Sequence, residues 1–156
     1  MDAQLIKQIL SSSKTIAMVG VSSIKKDEST SNIKRRPSII VMKYLQEFGY
    51  KVIPVNPSST GKEINGEVFV SKLEDIKTPI DIVNVFRPSN ETPMLAEQTA
   101  KIKAKVFWLQ YGIQNQEAEK IVEAANIAYV ANKCIKQEYQ RLFLKVNPVF
   151  PALKNN

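Results

Sequence analysis

Lys14-Thr-Ile-Ala-Met-Val-Gly-Val-Ser-Ser23 is the stretch on which the fold turns. A β-branched apolar run ending in one glycine and two serines predicts a buried strand over residues 15–21. It opens into a loop whose backbone N–H groups and hydroxyls suit an anion. Further on, Tyr50-Lys-Val-Ile-Pro-Val-Asn-Pro57 predicts a second strand, Lys51–Val55, which ends in Asn-Pro rather than in an acid. A long basic stretch, residues 21–36, lies between them. Pro37 and Ser38 then start a helix whose apolar face, Ile40, Val41, Tyr44, Leu45 and Phe48, runs until Gly49. The pattern points to a phosphate-rich ligand held between a strand end and a helix start.

The same alternation continues in both directions. Upstream, Leu5, Ile6, Ile9 and Leu10 recur at helical spacing and Ser11 to Ser13 end that helix. Downstream come turn signals at Ser58-Ser-Thr-Gly61 and Asn65-Gly66, a short extended piece at Val68-Phe-Val70, and one helical turn at Leu73 to Ile76. Strands follow at 81–86, 105–109 and 127–131, separated by helices at about 92–103 and 115–125, with a last helix at about 136–145. Strands that read as near-continuous apolar runs between helices imply a parallel sheet covered on both faces. The expected fold is α/β, a single-domain Rossmann-like unit with a five-stranded parallel sheet and helices on both faces. Its expected divisions are an N-terminal helix (1–13), the domain (14–146) and a Pro-containing tail (147–156).

The chain has 156 residues, 44% of them apolar, which is enough for one domain with its own core. No apolar run approaches a membrane span and the N-terminus lacks a secretory pattern, so the expectation is a soluble cytoplasmic protein without membrane association. Lys and Arg number 22 against 15 Asp and Glu, a net charge of +7 that suits DNA, RNA, an anionic membrane surface or a polyphosphate ligand equally. There is no histidine, which removes His-based acid/base catalysis, Ser/His and Cys/His nucleophile pairs and phosphohistidine chemistry. The lone cysteine, Cys134, makes no internal disulfide, and with no histidine it builds no zinc site of the Cys/His type. No catalytic constellation is evident.

In a parallel sheet of this kind the ligand sits outside the carboxyl ends of the strands. Those ends supply Gly20-Val-Ser-Ser23, Asn56-Pro-Ser58, Phe86-Arg-Pro88 and Gln110-Tyr-Gly112. A dinucleotide enzyme would show G-x-G-x-x-G at the first turn and an acid after the second strand. The first turn here reads Gly20-Val-Ser-Ser-Ile-Lys25, with one glycine, and the acid is missing. An NAD(P)-binding redox protein, with Arg35 or Arg36 on the extra phosphate, is the first alternative. A basic nucleic-acid-binding protein is the second, weakened by the lack of an aromatic stripe or helix-turn-helix.

Taken together, Val19-Gly-Val-Ser-Ser23, Arg36-Pro-Ser38, Tyr44-Leu45, Gly49-Tyr50, Val55-Asn-Pro57, Asp81-Ile-Val-Asn-Val-Phe-Arg87, Trp108-Leu-Gln110, Gly112 and Lys133-Cys-Ile-Lys136 resemble the small bacterial and archaeal CoA-binding proteins. That family shares the fold of the CoA-binding domain at the N-terminus of the succinyl-CoA synthetase alpha subunit. The resemblance covers about residues 10–143. It departs at Tyr139, where the family often ends Cys-Ile-Lys-x-Glu-His.

The resemblance implies coenzyme A or an acyl-CoA as ligand and a carrier or sensor role. The chain would serve a partner enzyme or act as a homo-oligomer. It implies that Gly20, Val21, Ser22 and Ser23 meet the diphosphate, aided by the helix start at Ser38. Lys34, Arg35 and Arg36 would supply phosphate charge, Val55, Asn56 and Pro57 the nucleotide wall, and Val85, Phe86 and Arg87 the flank of the adenine or the pantetheine arm, with Gln110 a further binding residue at the end of the fourth strand of the sheet. Each has a plain structural reading beside it. Arg87 can pair with Glu91, Asn56-Pro57 can be turn chemistry alone, Phe107 and Trp108 read as core, and Cys134 reads as a small apolar residue before it reads as redox-active.

Overall fold

Five parallel strands make the central sheet, as the apolar runs require. A computed structural model describes residues 1–22 and 37–144. Of the residues singled out above, Ser23, Lys34, Arg35, Arg36 and the 147–156 tail lie outside that description. The strands are β1 (Thr15–Val19), β2 (Lys51–Val55), β5 (Ile82–Val85), β6 (Val106–Leu109) and β7 (Ala128–Val130), and they lie in the order β2-β1-β5-β6-β7. A small antiparallel pair, β3 (Glu63–Ile64) with β4 (Glu67–Val68), turns at Asn65-Gly66 and rejoins the sheet by a bridge from Val70 to Val55.

The helices are α1 (Ala3–Ser12), α2 (Pro37–Glu47), α3 (Thr92–Lys101), α4 (Gln116–Ala124) and α5 (Ile135–Tyr139), the last running on as a wider π turn over Gln140–Leu144. Strand side chains alternate between two cores. Ile16, Met18, Ile82, Val106 and Trp108 pack with residues of α1, α2 and α5, while Ala17, Val19, Val83, Val85, Phe107 and Leu109 pack with residues of α3 and α4. Both faces of the sheet are therefore buried. No helix among the described residues is long and apolar enough to cross a membrane.

β1 stops two residues short of the expected 15–21. Gly20 takes φ +94°, which ends the extended backbone, although its N–H still donates to the Val55 carbonyl at 2.9 Å. Asp2 caps α1 through the Leu5 N–H (2.9 Å), and Ile6 and Leu10 sit in the core. The Tyr50 hydroxyl donates to the Leu10 carbonyl at 2.6 Å and ties that helix to the start of β2.

Asp81 performs the same tying function at the opposite end of the sheet from the crevice. Its Oδ2 accepts the Lys14 and Thr15 N–H groups at 2.7 and 3.1 Å, and its Oδ1 pairs with Lys105 at 3.3 Å. Burial by itself raises this carboxyl's pKa, but the two N–H donors and the ammonium outweigh it and hold it below its ordinary 3.8. A depressed carboxyl contributes stability above its unfolded pKa and loses it as pH falls through the folded value. Asp81→Asn is therefore expected to lower stability at pH 7 and to flatten the loss of stability below about pH 4, read by urea denaturation across pH. An unchanged acid limb would show that Asp81 does not carry that linkage.

Candidate functional site

The order β2-β1-β5 reverses direction at β1, since the chain steps one way to β2 and the other way to β5. At such a switch point the loops leaving two neighbouring strands part and open a crevice. A cavity of about 390 Å³ lies there, walled by Val19, Gly20, Val55, Asn56, Pro57, Ser58, Ser71, Lys72, Arg87, Glu91, Met94, Leu95 and Gln98. Five residues picked out from sequence, Gly20, Val55, Asn56, Pro57 and Arg87, thus meet in one place.

Gly20 is there because nothing larger fits. A Cβ on it would stand 2.7 Å from the Phe86 carbonyl oxygen and 2.8 Å from Arg87 Cδ. Its own N–H is occupied by β2, so Gly20 contributes close approach rather than a donor. Val21 is fully buried, and its N–H has no partner among the described residues. The Ser22 N–H donates to Ser38 Oγ at 3.2 Å, which fastens the first loop to the first turn of α2.

Asn56 holds the two loops together. Its Nδ2 donates to the Val21 carbonyl (2.9 Å), and its Oδ1 accepts the Ser58 N–H (3.0 Å) and hydroxyl (2.8 Å). It is both turn chemistry and site architecture. Asn56→Asp keeps the acceptor and loses the donor to Val21 while adding negative charge. It is expected to weaken binding of an anionic nucleotide by about tenfold, roughly 1.4 kcal/mol, in a calorimetric titration. An affinity unchanged within a factor of two would contradict this role.

Arg87 makes a two-pronged pair with Glu91, Nε to Oε1 at 3.0 Å and Nη2 to Oε2 at 2.8 Å, while still lining the cavity. Those hydrogen bonds raise the guanidinium pKa further. Phe86 and Gln110 line a second cavity of about 750 Å³ on the other side of Arg87, with Pro37, Val41, Pro88, Tyr111, Ile113, Cys134 and Gln137. Val85 lines neither cavity; it is fully buried on the face it shares with Val83, in the core under α3 and α4. Ser38 is buried and occupied with Ser22.

Ser71, Lys72, Glu91, Met94, Leu95 and Gln98 were not singled out as ligand-wall residues by sequence. Ser71 and Lys72 arrive through the Val55–Val70 bridge, a register that no local pattern announces. Tyr139, standing where the resembled pattern often has His, packs its ring among Tyr44, Phe48, Tyr50 and Phe143 at centroid distances of 4.7–6.1 Å. Its place is in an aromatic cluster beneath α2, not in either cavity.

The model of a CoA binding domain matches residues 14–140. The "Uncharacterized protein YneT" of Bacillus subtilis (strain 168) is 42% identical over 131 residues, 84% of this chain and 89% of that protein. A solved structure of cell-free ID.343 from Thermus thermophilus superposes with a TM-score of 0.81 at 39% identity, covering 92% of this chain and 100% of that one. A hypothetical protein from Pyrococcus horikoshii OT3 superposes with a TM-score of 0.78 at 38% identity, covering 91% and 92%.

Proposed function

Because this chain belongs to the CoA binding domain family, we propose that it binds coenzyme A or an acyl-CoA across the crevice at the carboxyl ends of β1, β2 and β5, as a carrier or sensor module. The observation that carries this reading is the convergence of Gly20, Val55, Asn56, Pro57 and Arg87 on one cavity at the strand-order reversal. The nucleotide end of the ligand occupies that cavity. The diphosphate approaches over Gly20, where the absence of a side chain leaves room, toward the first turn of α2. Binding there competes with, or adds to, the Ser22–Ser38 hydrogen bond.

Lys34, Arg35 and Arg36 immediately precede α2 in sequence and supply charge to the phosphates. Lys72, on the cavity wall, offers another cation to the nucleotide. Nothing at the end of β2 holds the two ribose hydroxyls as an acid would, which separates this site from a dinucleotide one. With no histidine in the chain, the module passes no phosphoryl group by a phosphohistidine, and its work is to hold CoA for a second copy of itself or for a partner enzyme.

Isothermal titration with CoA, NADPH and a short DNA duplex tests the reading. CoA is expected to bind at about micromolar Kd or tighter, at least ~100-fold better than NADPH. Tighter binding of NADPH would overturn it in favour of a redox protein. A ligand-independent, steeply salt-dependent affinity for the duplex that exceeds the affinity for CoA would overturn it in favour of nucleic-acid binding.

A further inference from the structure

Cys134 is the single cysteine of the chain, and it lies in the wall of the second cavity together with Gln110, Phe86, Tyr111 and Ile113. That cavity begins where the first one ends. Arg87 lines both, and Gly20 abuts the backbone of Phe86. A ligand whose diphosphate crosses Gly20 therefore has a second, mainly apolar chamber ahead of it.

The chamber contains a buried polar group positioned for a ligand. Gln110 is only 5% exposed. Its Oε1 accepts two hydrogen bonds at 3.0 Å, from Asn84 Nδ2 and from the Ile135 N–H. The Ile135 N–H is a fixed backbone donor, so the amide cannot be turned over without losing that bond. The orientation has a cost nearby, because Asn84 Oδ1 is left buried without a partner. It also leaves the Gln110 Nε2 donors with no partner among the described residues, at a residue that walls the cavity. An unpartnered amide donor in a cavity wall gains most when a ligand carbonyl reaches it.

The wall that carries Cys134 is fixed. Trp108 Nε1 donates to the Lys133 carbonyl at 2.8 Å, and the Glu138 N–H donates to the Cys134 carbonyl at 3.0 Å. The Gly112 N–H donates to Asn132 Oδ1 at 2.6 Å and the Asn132 N–H to the Ile113 carbonyl at 3.0 Å, joining the loops that follow β6 and β7. Cys134 is adjacent to Ile135, whose N–H fixes the Gln110 amide, and both Cys134 and Gln110 line the cavity.

Resting on the CoA reading above, we propose that this chamber receives the thiol-bearing arm of the ligand, with Gln110 Nε2 donating to an amide carbonyl of the arm, and that Cys134 exchanges with the disulfide form of the ligand to hold it covalently. The Cys134 thiolate attacks the sulfur of the half seated in the chamber. A new Sγ–S bond forms as the ligand's S–S bond breaks, and the other half departs as a thiolate, taking up a proton equivalent to the one Cys134 gave up. One disulfide is consumed and one is made, so no other oxidant is required.

The experiment follows the full chain by intact-mass spectrometry during incubation with CoA disulfide and, separately, with oxidised glutathione, and titrates reduced CoA by calorimetry. The expected result is a single CoA adduct, reversed by dithiothreitol, absent in Cys134→Ser, and formed at least about tenfold faster than the glutathione adduct because only CoA is seated beforehand. Gln110→Glu keeps the acceptor that faces Ile135 but not the donor. It is expected to slow the CoA reaction by a larger factor than the glutathione reaction, because only the CoA arm uses that donor. Equal rates for the two disulfides, or no adduct in a protein that binds reduced CoA, would overturn this proposal and leave the CoA reading standing. Failure of reduced CoA to bind would overturn the reading itself.

Discussion

Gly20→Ala is expected to lose roughly 2–4 kcal/mol of stability and to weaken CoA binding at least ~10-fold. Two causes add. The backbone at Gly20 has φ +94°, which L side chains rarely adopt, and the new Cβ would sit 2.7 Å from the Phe86 carbonyl oxygen. That oxygen belongs to the backbone leaving β5 and cannot move without moving the floor of the crevice. Gly49 supplies the control, since it has φ +96° and nothing within 4 Å of its ideal Cβ. Gly49→Ala is expected to lose about 1 kcal/mol through conformational strain alone and to leave CoA affinity unchanged. Urea denaturation and calorimetric titration of both variants separate strain from close approach. Equal losses of stability and affinity in the two would show that Gly20 is merely a turn.

Trp108→Ala is expected to be the most damaging core substitution, at about 3–5 kcal/mol. Trp108 is completely buried in β6 between β5 and β7, and its N–H holds the Lys133 carbonyl at the start of the Cys134 segment. Trp108→Phe separates packing from the hydrogen bond. It keeps most of the ring volume but leaves the Lys133 carbonyl without its donor, an expected loss of about 1–3 kcal/mol. For a domain of this size the middle of that range, about 2 kcal/mol, lowers Tm by roughly 4–8 °C. Amide exchange in the segment after β7 is expected to rise with it. A Phe variant that melts within one or two degrees of the parent, with unchanged exchange, would show that the indole N–H does not anchor that wall.

The sheet was legible because its strands are buried on both faces and so read as apolar runs, Ile16 to Val19 and Val106 to Leu109 being the clearest. The overshoot of β1 to residue 21 had a local cause. Val21 continues the apolar pattern, but Gly20 has already turned the backbone. Gly20, Asn56, Pro57 and Arg87 were legible as cavity residues because carboxyl ends of parallel strands converge whatever the side chains are. Ser71, Lys72 and Gln98 were not, since they reach the crevice through a bridge and a helix register set by tertiary packing. The two-residue alternation could have assigned Val85 to the face it shares with Val83. The Arg87–Glu91 pair was readable from the four-residue spacing, and the structure adds that pairing does not remove Arg87 from the cavity wall. The fixed orientation of Gln110 had no signal in the sequence, because its determinant is the Ile135 N–H twenty-five residues away.

Native mass spectrometry of the freshly purified chain, repeated after denaturation, tests the central claim most directly. The account predicts that the protein carries, or takes up on addition, a mass increment equal to CoA or an acyl-CoA at one per chain, and that denaturation releases the non-covalently held ligand. A chain that stays empty in the presence of millimolar CoA while retaining its native charge-state distribution would contradict it.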